Sequence, residues 1–339
     1  MPIHIAILLV SFVVILAGSE MFTNGVEWAG HHLSLSEAAV GSLLAAVGTA
    51  LPETLIPAVA LVMSHGVPGA HSEVGVGAIV GAPLMLSTIA LFVMGMAALG
   101  FRNRRGRIAL RVPRIDARRD LAFFLPVFAA TLVLGMAGLP PIARYAIGAI
   151  LLAVYASYAV VILRLKRGAD TEVEHGLHLE LLLAGNPSDP RGWPTVVQVL
   201  LGVVAILLGA YVFVDQIVFL SRHANLNPGV LSLILSPLAT ELPEKYNAVV
   251  WIRQGKDNLA LANITGAMVF QSCIPVALGL AFTPWHLSPP ELLGGAIAIL
   301  SAALLYVNLR DGELGTPTLI VGGAAYAAFI AGLGWLGAL

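Results

Sequence analysis

The sequence predicts an all-α polytopic membrane protein in which ten transmembrane helices form two inverted five-helix repeats. Three observations predict this: the composition, ten long apolar segments, and a similarity between the two halves of the chain. Of 339 residues, 58% are hydrophobic and 11% are charged, and the mean hydropathy is +0.90. Soluble domains carry about a quarter charged residues. Lipid is therefore expected to be the main solvent of this chain.

Other features of the composition exclude several classes. A net charge of -1 gives no field that would favour nucleic acid. The single cysteine, Cys273, excludes a disulfide framework. The apolar N-terminus lacks the basic residues that begin a signal peptide, so we expect it to be the first membrane span.

The apolar segments set the number of spans, because a spanning helix needs about 20 mostly apolar residues. Ten segments qualify, near 3–28, 36–64, 73–100, 119–138, 142–165, 195–220, 228–253, 258–283, 290–309 and 316–338. Four of them contain Gly and Pro near their centres, at Gly48 and Pro52, Gly81 and Pro83, Pro237 and Pro243, and Gly266 and Pro275. Backbone breaks at membrane depth are tolerated only beside protein or a water-filled cavity. We therefore expect these four to be interrupted and to face an interior pathway.

Loop charges predict the orientation. With ten spans, 15 of the 18 Lys and Arg residues fall on one side, eight of them arginines in residues 101–120, and only Arg144 and Arg222 fall on the other. The positive-inside rule then places both termini outside the cell's inner or plasma membrane. The predicted organisation is a first repeat over 1–167 with a basic loop at 101–119, a cytoplasmic linker over 168–193, and a second repeat over 194–339. The linker's acids and histidines leave a regulatory cation site open, although a solvated linker is favoured.

The two halves resemble each other at an offset of 191 residues, which carries GTALPE at 48–53 onto ATELPE at 239–244. A shared Thr-x-Leu-Pro-Glu inside apolar helices is far more specific than matches of single apolar residues. After the motif the offset shortens by six, so that Gly81 meets Gly266. Repeats with an odd number of spans must have opposite topologies, and inverted repeats place a binding site near the midplane.

Glu53 and Glu244 are the central acids of the two motifs. A carboxylate in the middle of a membrane span costs several kcal/mol unless it is paired, protonated or bound to a cation, so each marks a functional site by default. Each motif proline removes a backbone donor and frees the carbonyl four residues earlier. Thr49 and Thr240 add further oxygens. Oxygen ligands suit hard cations such as Ca²⁺, and the lack of adjacent His or Cys argues against Zn²⁺ and Cu⁺.

With these motifs the chain resembles the sodium/calcium exchangers of the cation/Ca²⁺ exchanger superfamily. The stretch GSEMFTNGVEWAGHHLSLSEAAVGSLLAAVGTALPETLIP resembles the first α-repeat, and SPLATELPEKYNAVV with LALANITGAMVFQS resembles the second. The resemblance implies ten helices in two inverted repeats and Ca²⁺ transport coupled to Na⁺ or H⁺, with no cofactor. It carries the family's motif residues onto Thr49, Ala50 and Glu53, and onto Thr240, Glu241 and Glu244.

The sequence departs from the family's pattern after each motif. In the first repeat Ala78, Ala82 and Leu86 stand at places that are usually polar, while the second repeat keeps Asn263 and has Ala267 and Gln271. Asn263, Thr265, Gln271 and Ser272 either line the pathway or join helices by hydrogen bonds.

Glu241 replaces a small hydroxyl residue, and Lys245 follows Glu244 directly. Because Glu241 and Lys245 are four residues apart, we expect them to form an ion pair. The alternatives are that Glu241 binds the ion while Lys245 pairs elsewhere, or that Lys245 replaces one transported ion. Fewer ion sites, another stoichiometry or another cation all stay open.

The sequence thus predicts a secondary antiporter that exchanges Ca²⁺ for Na⁺ or H⁺. Its predicted ion-binding residues are Glu53, Glu244, Thr49, Thr240, Glu241, Ala50, Gln271 and Asn263. The alternative is an antiporter for another cation, which could be Mg²⁺ or Mn²⁺, or an exchanger of Na⁺ for H⁺. A passive channel is less favoured because one chain supplies both halves. No catalytic motif indicates an enzyme. The expected partners are inorganic cations and the lipid bilayer; the oligomeric state stays open, with a monomer among the alternatives.

Overall fold

The protein is almost entirely helical in the computed structural model, which describes residues 1–32, 45–112, 114–166, 192–309 and 312–338. A π-helical turn at Leu86–Ala90 joins the helices Ala70–Met85 and Leu91–Gly100. The helices are α1 Pro2–His32, α2 Ala45–Met63, α3 Ala70–Met85, α4 Leu91–Gly100, α5 Arg102–Arg105, α6 Arg114–Leu134, α7 Pro141–Lys166, α8 Gly192–Ala224, α9 Pro228–Thr240, α10 Leu242–Gln254, α11 Asp257–Phe282, α12 Pro289–Asn308 and α13 Thr316–Trp335.

The length and apolar composition of the helices show that this is a multi-pass membrane protein. Within the described residues, seven helical stretches are long and apolar enough to cross a bilayer, and Leu51–Met63 and Pro228–Thr240 are shorter apolar helices. The seven are Pro2–Val26, Ala70–Gly100, Pro141–Ile162, Trp193–Ala224, Asp257–Phe282, Pro289–Asn308 and Thr316–Trp335. Large apolar side chains such as Val13 and Leu208 stand 62% exposed on these helices, which suits a surface in contact with lipid.

Each of the ten predicted segments contains a helix in its described part, with bounds that differ by a few residues. The largest shift is α6, which begins at Arg114 inside the predicted basic loop. That loop is also more ordered than expected, because it contains α5 and a short strand. Most of the predicted linker, residues 168–191, lies outside the described residues.

The prediction of an all-α protein needs one correction, which is a two-stranded antiparallel sheet. Strand β1, Leu110–Arg111, pairs with β2, Glu313–Leu314, in the register Leu110↔Leu314 and Arg111↔Glu313. The two leucines are fully buried while Arg111 and Glu313 are exposed, which follows from the alternation of side chains along a strand. Strands of two residues are too short to leave a periodic signal in the sequence.

The expectation of four interrupted spans is correct for the seventh and wrong for the second and eighth in their described parts. The seventh breaks between α9 and α10, whereas α2 continues through Pro52 and α11 through Pro275. A proline removes one hydrogen bond, and packing against neighbouring helices allows a membrane helix to continue past it. The third span is irregular at the π-helical turn rather than at Gly81, whose role is packing.

Contacts between helices follow the sequence repeat. The first helices of the two halves, α1 and α8, pack along each other, while α2 packs on α11 and α3 on α9. The third span, α3 with α4, corresponds to α11 in the second half, and their contacts correspond as well. The third span packs on α12 and α13 of the second half, and α11 packs on α6 and α7 of the first half. The elements that carry the two motifs are thereby held together at the centre.

Gly77 and Gly81 allow α3 and α9 to approach closely. A Cβ at Gly77 would lie 2.2 Å from the carbonyl oxygen of Gly229, and one at Gly81 would lie 2.3 Å from that of Leu233. Small residues four apart commonly mediate such close contacts between membrane helices. The polar second motif is thus brought beside α3 by backbone contact.

Asp257, the first residue of α11, anchors the basic segment. Arg105 Nη2 donates to both carboxylate oxygens of Asp257 at 2.7 Å, and Arg107 Nη2 donates at 3.0 Å. The backbone N–H of Arg111 adds a bond of 2.9 Å. The side chains of Arg105 and Asp257 are 2% and 0% exposed. The arginine run is therefore partly a structural clamp at the start of α11.

We predict that Gly81→Ala destabilises the fold, whereas Gly266→Ala does not. A Cβ at Gly81 meets Leu233, while one at Gly266 has no atom of the described structure within 4 Å. Overpacking costs about 1–3 kcal/mol. Thermal unfolding of the detergent-purified protein should show a lower midpoint for Gly81→Ala alone. Equal midpoints for the two variants would contradict the close approach of α3 and α9.

We also predict that Asp257→Asn strongly destabilises the protein, because removing one partner of a buried ion pair costs about 3–5 kcal/mol. Glu313→Gln is the matched control, since its carboxylate is 63% exposed and lies 3.9 Å from Arg111 Nε. An exposed pair contributes about 0–1 kcal/mol. The same unfolding assay distinguishes the two, and a small effect of Asp257→Asn would refute the clamp.

Candidate functional site

The two halves of the chain meet at a buried polar cluster. Gln271 Nε2, on α11, donates to Glu53 Oε2 of α2 at 2.6 Å and to Glu241 Oε1, between α9 and α10, at 3.5 Å. Glu53 is 4% exposed, and Glu241 and Gln271 are fully buried. One amide thus bridges two carboxylates that come from different repeats.

The helix break at Glu241 follows from the sequence of the motif. Pro243 is the second residue of α10, where its missing N–H costs no helical hydrogen bond. Glu241 leaves helical geometry, with φ -99° and ψ 11°, and its N–H donates to the carbonyl of Pro237 at 3.1 Å. The break directs the side chain of Glu241 into the interior between α2 and α11.

Glu244 lies in the first turn of α10 and is 1% exposed. The N-terminus of a helix carries a partial positive charge that stabilises a carboxylate. The carboxylate of Glu244 interacts electrostatically with both Glu53 and Glu241, so the three acids form one electrostatic unit. A buried group of like charges requires compensation by cations or protons.

The predicted ion pair between Glu241 and Lys245 is confirmed. Lys245 Nζ lies 3.5 Å from Glu241 Oε2, and Lys245 is only 6% exposed. The ammonium therefore stays among the acids instead of reaching a membrane surface. Glu53 also lies within range of its charge.

Several polar atoms of the cluster have no hydrogen-bond partner within the described part of the chain, namely Glu53 Oε1, Gln271 Oε1 and Lys245 Nζ. A buried polar atom without a partner is costly, and native proteins rarely leave one. The described residues also contain no preformed metal cage of three or more His, Cys, Asp or Glu side chains. Glu241 is paired with Lys245, whereas Glu53 Oε1 and Gln271 Oε1 have no such partner within the described residues. These two oxygens therefore fit a site that a bound cation or a water molecule completes.

The remaining predicted site residues have varied positions. Thr240 is at the break, and its hydroxyl donates to the carbonyl of Ser236 at 3.2 Å. Asn263 precedes Gln271 by eight residues on α11, which is about 12 Å along the helix axis. Thr49 and Ala50 lie in α2 one turn before Glu53, and their side chains are outside the described set.

The sequence did not predict the buried hydroxyl groups of Ser232 and Ser236, which precede Thr240 along α9. Ser232 donates to the carbonyl of Val74 at 2.6 Å, and its oxygen lies 2.8 Å from that of Ser236. Ser232, Ser236 and Thr240 follow one another at intervals of four residues and are all buried. That interval is the signal that would have revealed a polar face leading to the acids.

A second network involves Asp120 of α6. Its carboxylate accepts hydrogen bonds from Thr265 Oγ1 of α11 at 2.7 Å and from the hydroxyl of Tyr158 on α7. Thr265 therefore joins helices, which agrees with one of its two interpretations from the sequence. This network joins α11 to α6 and α7.

Carboxylate and amide oxygens make the cluster chemically suited to hard cations. Its acids come from elements of both repeats, so a relative movement of the repeats would alter which oxygens face an ion. The geometry therefore supports reversible cation binding at a site between the two repeats.

Comparisons with known proteins agree with this architecture. A family model described as sodium/calcium exchanger protein matches residues 3–164 and 194–335. The chain is 24% identical over 327 residues to the uncharacterized membrane protein MJ0091 of Methanocaldococcus jannaschii, with 96% of each chain covered.

Two solved structures are similar in fold. The H⁺/Ca²⁺ exchanger CAX gives a TM-score of 0.71 at 17% identity, covering 97% of this chain and 81% of that one. The sodium-calcium exchanger NCX_Mj gives 0.61 at 21% identity, with 97% of each chain covered. Because the family model matches most of the chain in both halves, the chain belongs to the sodium/calcium exchanger family.

Proposed function

We propose that this protein is a secondary active antiporter that exchanges Ca²⁺ for Na⁺ or H⁺ by alternating access. The proposed ion site lies between the two Thr-x-Leu-Pro-Glu motifs, with Glu53 and Glu244 as its principal ligands. Further oxygens are proposed to come from Thr49, Ala50, Thr240, Glu241 and Gln271, whereas Asn263, about 12 Å along α11 from Gln271, is proposed to line the pathway that leads to the ion. Similarity to exchangers named for H⁺/Ca²⁺ and for sodium and calcium supports this choice of ions.

The bridge from Glu53 through Gln271 to Glu241 carries this proposal. It joins α2 of one repeat to the helix break and α11 of the other, at distances of 2.6 and 3.5 Å. A cation that binds these acids replaces their mutual repulsion with attraction. Occupancy therefore favours a compact arrangement of the repeats, and release favours separation.

The charge and chemistry of the ligands limit the cargo. Ca²⁺ takes six to eight oxygens at about 2.3–2.6 Å, and backbone carbonyls freed at the motifs can complete such a shell. The side chains of Ala78, Ala82 and Leu86 add no ligand from α3 and its π-helical turn, where all three are buried. The coupling ion is then Na⁺ at the same oxygens or H⁺ on the carboxylates.

For topology, we propose ten spans in two inverted repeats within the inner or plasma membrane. The shorter helix pair α9 and α10 forms one span, as do α3 and α4 with their π-helical turn. Arg102–Arg105 and the linker then lie in the cytoplasm with both termini outside. An alkaline phosphatase fused after residue 339, active only outside, tests this orientation; an inactive fusion would oppose it.

No cofactor and no catalytic activity form part of this proposal, whose partners are inorganic cations and lipid. One chain supplies both halves of the site, so a monomer contains a complete pathway. Transport rather than passive conduction is favoured because the three acids are at most 4% exposed, which fits an alternating-access site better than an open pore.

We predict that Glu53→Gln and Glu244→Gln each abolish Ca²⁺ flux in proteoliposomes, since each removes a principal charged ligand. Flux is followed with an imposed Na⁺ gradient and separately with an imposed H⁺ gradient. Glu73→Gln is the matched control, because Glu73 lies at the start of α3 and accepts a hydrogen bond from Asn227 at the start of α9, about 20 Å along that helix from Thr240. Flux that requires one gradient names the coupling ion.

Absence of flux under both gradients in the unaltered protein would refute Ca²⁺ exchange, and Mg²⁺ and Mn²⁺ would be tested next. Full flux in either glutamine variant would refute the assigned site. Flux without any counter-ion would indicate a channel.

Gln271 and Asn263 give a test of position along α11. We predict that Gln271→Ala weakens Ca²⁺ affinity about 10- to 150-fold, because loss of a buried hydrogen bond to a charged group costs about 1.5–3 kcal/mol. Asn263→Ala should change affinity less than threefold, as its side chain is about two turns away. Ca²⁺ concentration dependence of flux measures both. A larger effect of Asn263→Ala would move the site toward the start of α11.

A further inference from the structure

Lys245 is an unusual component of an ion pathway, because it places a cation inside the site that is meant to bind cations. Its ammonium lies 3.5 Å from Glu241 Oε2 and the residue is 6% exposed. Lys245 follows Glu244 directly in α10, so its backbone is fixed in the helix beside the acids.

The burial of this ammonium requires a specific compensation. A lysine at membrane depth is costly, and long side chains near helix ends usually extend to the interface instead. Here the ammonium turns inward to an acid that is itself linked through Gln271 to Glu53. The pair therefore belongs to the site and not to a separate structural contact.

Counting charges gives the consequence. Glu53, Glu241 and Glu244 contribute -3 when ionised, and Lys245 reduces the sum to -2. A site that changes its exposure within a low-dielectric medium is least costly when its total charge is near zero. One divalent cation or two monovalent cations neutralise -2, whereas three monovalent cations would be needed without Lys245.

We propose that Lys245 is a resident cation that occupies the place of one transported monovalent ion. This proposal rests on the proposed function and sets its stoichiometry. Two Na⁺ or two H⁺ exchange for one Ca²⁺, and the cycle moves no net charge. Replacing Lys245 with a neutral side chain restores a third monovalent site and makes exchange electrogenic.

The experiment measures Ca²⁺ accumulation at equilibrium in proteoliposomes with the coupling gradient fixed and the membrane potential clamped by K⁺ and valinomycin. Electroneutral exchange gives a Ca²⁺ ratio equal to the square of the coupling-ion ratio, independent of potential. Exchange with one net charge gives the cube, and 100 mV shifts the ratio roughly fifty-fold. An equilibrium readout does not depend on how fast a variant transports.

Lys245→Met keeps most of the length of the side chain and removes the charge, so it should show the cube and the dependence on potential. The double variant Glu241→Gln with Lys245→Met removes both members of the pair and keeps the sum at -2. It should return to the square and to independence from potential. This charge-restored variant also controls for disturbed folding at the start of α10.

Dependence on potential in the unaltered protein would overturn the proposal. An active Lys245→Met variant whose exchange stays electroneutral would also overturn it. Loss of transport in both variants would overturn it too, because the double variant restores the charge sum and should therefore restore coupling. Failure of the proposed function looks different: the unaltered protein would then accumulate no Ca²⁺ under either gradient.

Discussion

The structure depends on the cost of placing several carboxylates together in a medium of low dielectric constant. Glu53, Glu241 and Glu244 are at most 4% exposed. A carboxylate that loses water must gain a compensating charge or donor. Gln271 and Lys245 supply part of that compensation, and transported cations are the proposed remainder. The need for compensation ties the binding of ions to the arrangement of the helices that carry the acids.

The helices meet this constraint by close backbone packing. Gly77 and Gly81 bring α3 against α9, and Asp257 fixes the start of α11 through Arg105. Asp120 supports the same helix through Thr265. The acids are therefore mounted on elements that contacts outside the site hold in place, and the site itself is a separate polar cluster. Such a division allows the site to respond to ions without loss of the fold.

The sequence predicted the helices, their order and the two acidic motifs, because apolar length and a repeated Leu-Pro-Glu are strong local signals. It also predicted the pair of Glu241 with Lys245, since residues four apart on a helix are neighbours. The bridge by Gln271 depends on tertiary placement, and the resemblance to a family only marked that position. Proline alone did not predict the breaks correctly: Pro243 lies in the first turn of α10, two residues after the non-helical Glu241, whereas Pro52 and Pro275 lie inside continuous helices. The sequence did not predict the clamp on Asp257, because the positive-inside rule already accounted for the arginines that form it.

The position of a bound ion is the most direct test of the central claim, that the acids of the two motifs form one cation site. A crystal structure grown with Ca²⁺, with the ion located by anomalous scattering, would show it. The account predicts one ion bonded to the carboxylates of Glu53 and Glu244 at about 2.3–2.6 Å, with Lys245 still paired to Glu241. An ion bound only elsewhere, or one that displaces Lys245 from the cluster, would contradict it.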